Sequence, residues 1–234
     1  MKYIKIKYQF KFDDNRKFTY KVRLDKESLL LIAPRATDST SWSALEFNQC
    51  ENCPLNSTDS IDCPVALNLV PLMDLVCNLT SYDEVKTLVT TSERSIYAKT
   101  TVQRAISSLL GLIMATSDCN HMYFFRGMAR FHLPFADDLE TVYRAVSTYL
   151  LAQYFLHKKG EAPDMEISGL ADLYKNLQII NRNMAIRIRA ASEEDAASNA
   201  VVLLDLFAKN IPYSIDEAVE EAKYPFSAYI KSKP

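Results

Sequence analysis

Four cysteines of this 234-residue chain have the spacing C-x2-C-x9-C-x55-C, which is typical of metal sites. They are named here the cysteine set: Cys50, Cys53, Cys63 and Cys119. A C-x2-C turn directs two sulfurs toward one point, and Zn²⁺ or an iron–sulfur cluster prefers four soft thiolate ligands. The spacing therefore predicts one metal centre that joins a polar loop to a distant helical segment.

The cysteines leave the identity of the metal open. Zinc is the commoner structural ion, but zinc ribbons usually have glycine after the second cysteine, where this chain has Pro54. Two Cys-Pro pairs, Cys53-Pro54 and Cys63-Pro64, are familiar from ferredoxin-type cluster ligation. Zinc and a [4Fe-4S] cluster are thus predicted near parity. A closed set of four thiolates favours a structural role in either case.

Other interpretations of these residues remain open. Disulfides would need an oxidising compartment, and the charged start of the chain lacks the continuous hydrophobic stretch of a secretory signal. Unliganded core thiols are a second alternative, and Cys77, in an apolar segment, is interpreted in that way. His121 lies two residues beyond Cys119 and is the alternative fourth ligand.

The common catalytic motifs are missing. The four glycines are at least nine positions apart, which excludes the phosphate-binding loops and the nucleophile elbow. The three histidines are 11 and 25 positions apart, which excludes H-E-x-x-H. His132 is predicted to be a hydrogen-bonded core histidine, because no nucleophile lies beside it in the sequence. The chain is therefore predicted not to be an enzyme.

The hydrophobic pattern predicts an α+β fold. Strict alternation over residues 2–12 and 18–24 indicates a hairpin, and an apolar run at 28–33 indicates a third strand. A second hairpin is expected at 84–100. The expected organisation is a small N-terminal antiparallel sheet, a cysteine loop and a mainly helical body in one compact unit, with boundaries 1–48, 49–64 and 65–234.

Helical spacing dominates after residue 64. Pro71 should kink or break a helix that starts after Cys63. Further helices are expected from Val102, and the stretch 122–135 is expected to be an aromatic loop. Asp137 should cap the next helix. Three later helices are expected over 137–159, 170–189 and 192–209, and a short acidic one from 215.

Charge is distributed unevenly along the chain. Residues 1–26 hold nine Lys or Arg and three Asp, net +6, and the remainder is net -8. A basic hairpin suits nucleic acid or an acidic partner, but solvated lysines that protect a sheet edge are the favoured interpretation. Arg182, Arg187 and Arg189 are interpreted as cations that complement a helix dipole rather than as a phosphate site. A protein partner or self-association is predicted, with nucleic acid less favoured.

Composition predicts a cytoplasmic protein that does not bind membranes. Hydrophobic residues make up 48% and charged residues 24%, as in an ordinary globular chain. The longest apolar run, residues 109–115, is far shorter than the roughly 20 residues that a bilayer requires.

Several motifs together resemble a bacterial family of about this length that is classed as a domain of unknown function. They are Cys-x-x-Cys-Pro-Leu at 50–55, Cys63-Pro64, Ser117-x-Cys119, Phe-His-Leu-Pro-Phe at 131–135 and Tyr-Leu-Leu-Ala-Gln-Tyr-Phe at 149–155. The resemblance implies bacterial origin and a cysteine-centred site, without an established activity. Such relatives have Cys-Pro at the fourth cysteine, whereas Asn120 follows Cys119 here.

These observations predict a non-catalytic protein with a four-cysteine metal centre, which ties a loop to a helical body and acts through protein contacts. A redox-active or sensing [4Fe-4S] protein is the first alternative. A nucleic-acid binder that uses the basic N-terminal hairpin is the second.

Overall fold

The computed structural model describes residues 2–34, 36, 38–58, 60–76, 78–191, 199–202 and 219–232. The predicted helix over 192–209 lies mostly outside these residues, as does the start of the helix expected from 215. Cys77 also lies outside them. The described part has the predicted α+β fold, an antiparallel sheet with helices packed against it.

The sheet is larger than the sequence pattern indicated. The strands are β1 (Tyr3–Lys11), β2 (Lys17–Asp25), β3 (Leu31–Ala33), β4 (Glu84–Thr90) and β5 (Ser95–Thr101). Their order in the sheet is β3-β2-β1-β4-β5, so the second predicted hairpin joins the N-terminal one through pairing of β1 with β4.

Alternation decides which face of the first hairpin is buried. Tyr8 and Phe10 of β1 are buried opposite Tyr20 and Phe18 of β2, and the intervening residues face outward. The turn between the strands includes Asn15 with φ of 69°, a left-handed conformation that asparagine tolerates well. The predicted hairpin is confirmed.

One helix packs against β4 and β5 of the sheet, and a second helix packs against the first. Helix α1 (Pro64–Val76) starts directly after Cys63 and continues through Pro71, which the sequence predicted to kink or break it. Helix α2 (Val102–Ala115) follows β5 without a loop and packs against α1, β4 and β5. Together with the inward side chains of the sheet they form one hydrophobic core.

The aromatic stretch 122–135 was predicted to be a loop, and this prediction is wrong for Phe125–Arg130, which form a helix. A 3₁₀ turn, Asn120–Met122, precedes the short helix α3 (Phe125–Arg130). Phe125 and Ala129 on one face of α3 are buried, so packing stabilises a helix that the aromatic composition obscured.

Two long helices complete the described body. Helix α4 (Asp138–Lys158) begins with a capping box, in which Asp137 accepts the Glu140 amide and the Glu140 carboxylate accepts the Asp137 amide. Helix α5 (Ser168–Ala191) packs against α1 and α4. A 3₁₀ turn, Tyr224–Phe226, and a short helix, Ser227–Ser232, follow later in the chain. None of the helices in the described ranges combines the length and apolar character that crossing a bilayer requires.

Candidate functional site

The cysteine loop is folded back by its own backbone hydrogen bonds. The Cys53 amide donates to the Cys50 carbonyl at 3.0 Å, which closes the C-x2-C turn. The Leu45 amide donates to the Ile61 carbonyl at 2.8 Å, and the Cys63 amide donates to the Ser43 carbonyl at 2.8 Å. The chain therefore doubles back just before α1, which places Cys63 on the same side of the body as the C-x2-C turn.

Cys119 reaches this region from the end of α2. It precedes the 3₁₀ turn Asn120–Met122. Burial raises the pKa of the Cys119 thiol to about 11, while the backbone amides of His121 and Met122 donate toward the sulfur and oppose that rise. Amide donors of this kind stabilise a thiolate, which is the form that binds metals.

The four sulfurs of the cysteine set lie within electrostatic reach of one another. Burial raises the pKa of the Cys50 thiol to about 12, and nearby charge on Cys63, Cys119 and Cys53 raises it further. All four residues are half-buried, and none forms a disulfide. Among the residues that the structure describes, however, no group of three or more His, Cys, Asp or Glu side chains has the geometry to hold a metal ion.

A buried arginine that sequence reasoning assigned to a helix dipole lies beside these cysteines. Arg187 of α5 is 1% exposed. Its guanidinium donates to the carbonyls of Trp42, Ala44 and Leu45 at 2.8, 2.7 and 2.9 Å. Burial lowers the pKa of Arg187, while Cys63, Cys50 and then Cys53 oppose this shift by favouring its charge. The sequence gave no signal that Arg187 would contact the cysteine loop, because the three acceptor residues lie more than 140 positions before it in the chain.

His121 contacts the C-x2-C turn through the backbone. Its Nε2 lies 2.7 Å from the Asn52 carbonyl oxygen, and a neutral imidazole satisfies this contact by donating from Nε2. The side chain of Asn52 donates to the Asn176 side chain of α5 at 2.8 Å. His121 thus acts here as a link between the turn and the segment that carries Cys119, which favours Cys119 over His121 as the fourth ligand.

A second polar cluster surrounds His132. The Tyr8 hydroxyl lies 2.8 Å from Ser108 Oγ and 2.5 Å from His132 Nε2. Burial lowers the pKa of His132 to about 3, so the ring is neutral near pH 7. The prediction that His132 is hydrogen-bonded is confirmed. Its partner could not be predicted, since Tyr8 is 124 positions away in the sequence.

The outer face of the sheet carries the basic residues of the N-terminal hairpin. Like charges stand directly opposite each other on β1 and β2, where such pairs destabilise a sheet. They are Lys5 with Arg23, Lys7 with Lys21, and Lys11 with Lys17. Asp13 and Glu84 form ion pairs with Lys86 of β4 and Lys99 of β5 rather than with these residues. Nucleic-acid binding by this face stays a prediction.

The fold and the cysteine set define an α+β protein with a cluster of free thiols at the junction of a loop and a helical body. The family model for a domain of unknown function, DUF6901, matches residues 6–227, and the chain belongs to that family. No curated protein and no solved structure matches the chain.

Proposed function

We propose that the protein is non-catalytic and that the cysteine set binds one metal centre, which fastens the cysteine loop to the helical body. The observation that carries this proposal is the buried guanidinium of Arg187 beside three of the four thiols. In the part of the chain that the structure describes, no carboxylate forms an ion pair with Arg187. Asp62 acts on it electrostatically, but less than Cys63, Cys50 or Cys53.

A buried charge needs a compensating charge nearby, because desolvation of an unpaired ion is costly. Neutral thiols would leave Arg187 with backbone carbonyls as its main partners. A bound metal would deprotonate the thiols, and four thiolates around Zn²⁺ or an oxidised [4Fe-4S] core carry a net negative charge. The amides that donate toward Cys119 would stabilise the same charged form.

Metal binding would complete the geometry of the site. The thiols are near one another without the arrangement that a metal requires. Binding of a metal and local folding are commonly coupled, because the ligands converge only when the ion is present. The expected result is a tighter junction between the C-x2-C turn, the segment at Cys119 and α5. The role of such a centre is structural, with zinc and a [4Fe-4S] cluster still near parity.

We propose that the stabilised body acts through protein contacts. Three large apolar side chains are exposed near one another on α4: Leu151, Tyr154 and Phe155 are 54%, 51% and 57% exposed. Exposed apolar groups that lie close together are common at protein interaction surfaces. Their proximity supports a binding role and does not define the partner.

The test is elemental analysis of the full chain purified without oxygen, together with a visible absorption spectrum. We expect about one metal centre per chain. Zinc without colour would indicate a structural ion, and iron with sulfide and a visible band would indicate a cluster and direct further work to redox sensing. Cys53→Ser should lose the metal and lower the melting temperature.

Cys77→Ser is the matched control, because it removes one thiol from outside the cysteine set. It should keep the metal content of the wild type. Wild-type protein that remains free of metal after reconstitution with zinc, and with iron and sulfide, would refute the proposal. Equal metal content and melting temperature in Cys53→Ser and wild type would also refute it.

A further inference from the structure

The register of the sheet gathers cations from four strands onto its outer face. Residues that stand directly opposite each other in an antiparallel sheet project from the same face, and neighbouring strands lie about 4.8 Å apart. Eight cations share this face: Lys17, Lys11, Lys86 and Lys99 in one row across β2, β1, β4 and β5, then Lys21 with Lys7, and Arg23 with Lys5. These eight residues are named here the basic face.

Protection of a sheet edge does not account for this charge. Lysines on an edge strand prevent association between sheets, and the sequence favoured that interpretation of the N-terminal hairpin. In the structure β1 is the central strand, and Lys7, Lys11 and Lys86 each have a paired strand on both sides. Cations that face each other inside a sheet repel and lower its stability. Their position therefore favours a role in binding.

Acidic side chains neutralise only part of the basic face. Asp13 pairs with Lys86 and Glu84 pairs with Lys99, both at 2.7 Å. The six cations on β1 and β2 have no ion pair within the part of the chain that the structure describes. Asp25 ends β2, but its carboxylate accepts hydrogen bonds from the turn that follows it. The basic face therefore favours a ligand with several negative charges.

Aromatic rings stand among these cations. Between the row of four lysines and the next cation pair lies an uncharged row that ends in Tyr97 of β5, which is 61% exposed. At the start of β1, the ring centre of Tyr3 lies 5.2 Å from Lys5 Nζ and 5.7 Å from the guanidinium carbon of Arg23. Single-stranded nucleic acids bind where cations meet phosphates and exposed rings stack on bases, and an open sheet face is one such platform.

The shape of the basic face selects among polyanions. It extends about 14 Å across four strands and about 20 Å along β1 from Lys5 to Lys11. The major groove of duplex DNA admits a helix or a two-stranded ribbon, which is narrower than this surface. An acidic protein segment would pair with the lysines but would leave the exposed ring of Tyr97 without a stacking partner. A flexible single strand reaches both the cations and the rings.

We infer that the basic face binds single-stranded nucleic acid without regard to sequence. The lysines contact phosphates, and Tyr97 stacks on a base. RNA and DNA share this chemistry, and the experiment compares them. This binding is independent of the metal proposed for the cysteine set.

The test is fluorescence anisotropy of labelled oligouridine and oligothymidine of about 12 nucleotides, titrated with the full chain. We expect a Kd of about 1–100 µM, the range of sequence-independent binding. The logarithm of the association constant should fall with the logarithm of the salt concentration, with a slope of about −0.7 for each phosphate contacted. Binding of either strand supports the inference, and the tighter of the two identifies the source of the ligand. A duplex of the same length should bind about tenfold more weakly, since its bases are not free to stack on Tyr97.

The charge is tested with a pair of double variants. Lys7→Gln with Lys21→Gln should make the salt slope shallower by about 1.4, because two phosphate contacts are lost. This variant should melt at or above the wild-type temperature, since it removes two like charges that face each other. Lys158→Gln with Lys159→Gln removes the same charge from exposed positions at the end of α4 and should bind like the wild type.

Stacking is tested separately at Tyr97. Tyr97→Leu should weaken binding about tenfold without a change in the salt slope, because it removes the ring and keeps the charge. Tyr97→Phe keeps the ring and should bind like the wild type.

Four results would overturn the inference. The first is no binding of either strand at about 100 µM protein, the weak end of the sequence-independent range. The second is an equal loss of affinity in the two double lysine variants, which would show that overall charge alone acts. The third is wild-type affinity in Tyr97→Leu. The fourth is equally tight binding of the duplex or of labelled polyglutamate, which would assign the basic face to a different class of polyanion.

Discussion

Replacing Arg187 with methionine should strongly destabilise the junction between α5 and the cysteine loop. The long apolar side chain of methionine fills much of the same volume, so the change mainly removes the charge and the donors. Three backbone carbonyls, those of Trp42, Ala44 and Leu45, would lose their hydrogen bonds from the guanidinium. We expect Arg187→Met to unfold at a lower denaturant concentration than wild type.

The magnitude follows from these contacts. Hydrogen bonds to a charged group contribute about 1.5–3 kcal/mol each, so three of them amount to roughly 5–9 kcal/mol. Removing the buried charge recovers several kcal/mol of desolvation cost. The expected net loss in the free energy of unfolding is about 3 kcal/mol. With a slope of about 3 kcal/mol per molar urea, the midpoint should fall by about 1 M.

The assay is urea denaturation followed by circular dichroism, at fixed pH and with the metal content measured for each sample. Arg182→Met is the matched control on the same helix. The Arg182 side chain is 62% exposed and forms an exposed ion pair with Glu51 at 3.5 Å, so this change should alter stability by less than about 0.5 kcal/mol. A loss below about 1 kcal/mol in Arg187→Met would refute the reasoning that the three hydrogen bonds from the Arg187 guanidinium stabilise this junction.

Two further predictions concern groups outside the cysteine set. Burial lowers the pKa of His132 from 6.5 to about 3, so the unfolded chain binds a proton more readily than the folded protein does. The free energy of unfolding should therefore fall by about 1–2 kcal/mol when the pH is lowered from 7 to 5. His132→Gln should reduce this slope in denaturation at both pH values, and an unchanged slope would contradict the assignment. Gly160 follows α4 with φ of 89°, a left-handed conformation that alanine adopts only with strain, and its amide donates to the His157 carbonyl at 3.0 Å. Gly160→Ala should therefore lower the free energy of unfolding by about 1 kcal/mol. A melting temperature equal to that of Glu161→Ala would contradict this reasoning.

Much of the local structure could be predicted because it depends on neighbouring residues. The alternation in β1 and β2 is a period of two, which by itself decides the buried face of a strand. The capping box of α4 also lies within four consecutive residues, Asp137 to Glu140. The candidate ligands were named from spacing alone, since a C-x2-C turn is itself a local structure.

The predictions that failed concern local signals that packing overrides. A break at Pro71 was one of the two outcomes expected for the first helix, and it does not occur, because α1 continues through Pro71 with buried residues on both sides. Phe125 and Ala129 form a helix in what was predicted to be a loop, because their burial stabilises a short segment that composition does not favour.

The sequence by itself determined the α+β class and the first hairpin, and its cysteine spacing is the basis on which we propose a metal site. Only the tertiary structure decided that β1 pairs with β4, that Arg187 reaches the cysteine loop, and that Tyr8 bonds with His132. These contacts join residues far apart in the chain. Period and spacing describe neighbours within one element, whereas long-range contacts depend on how complete elements pack, and no local pattern encodes that arrangement.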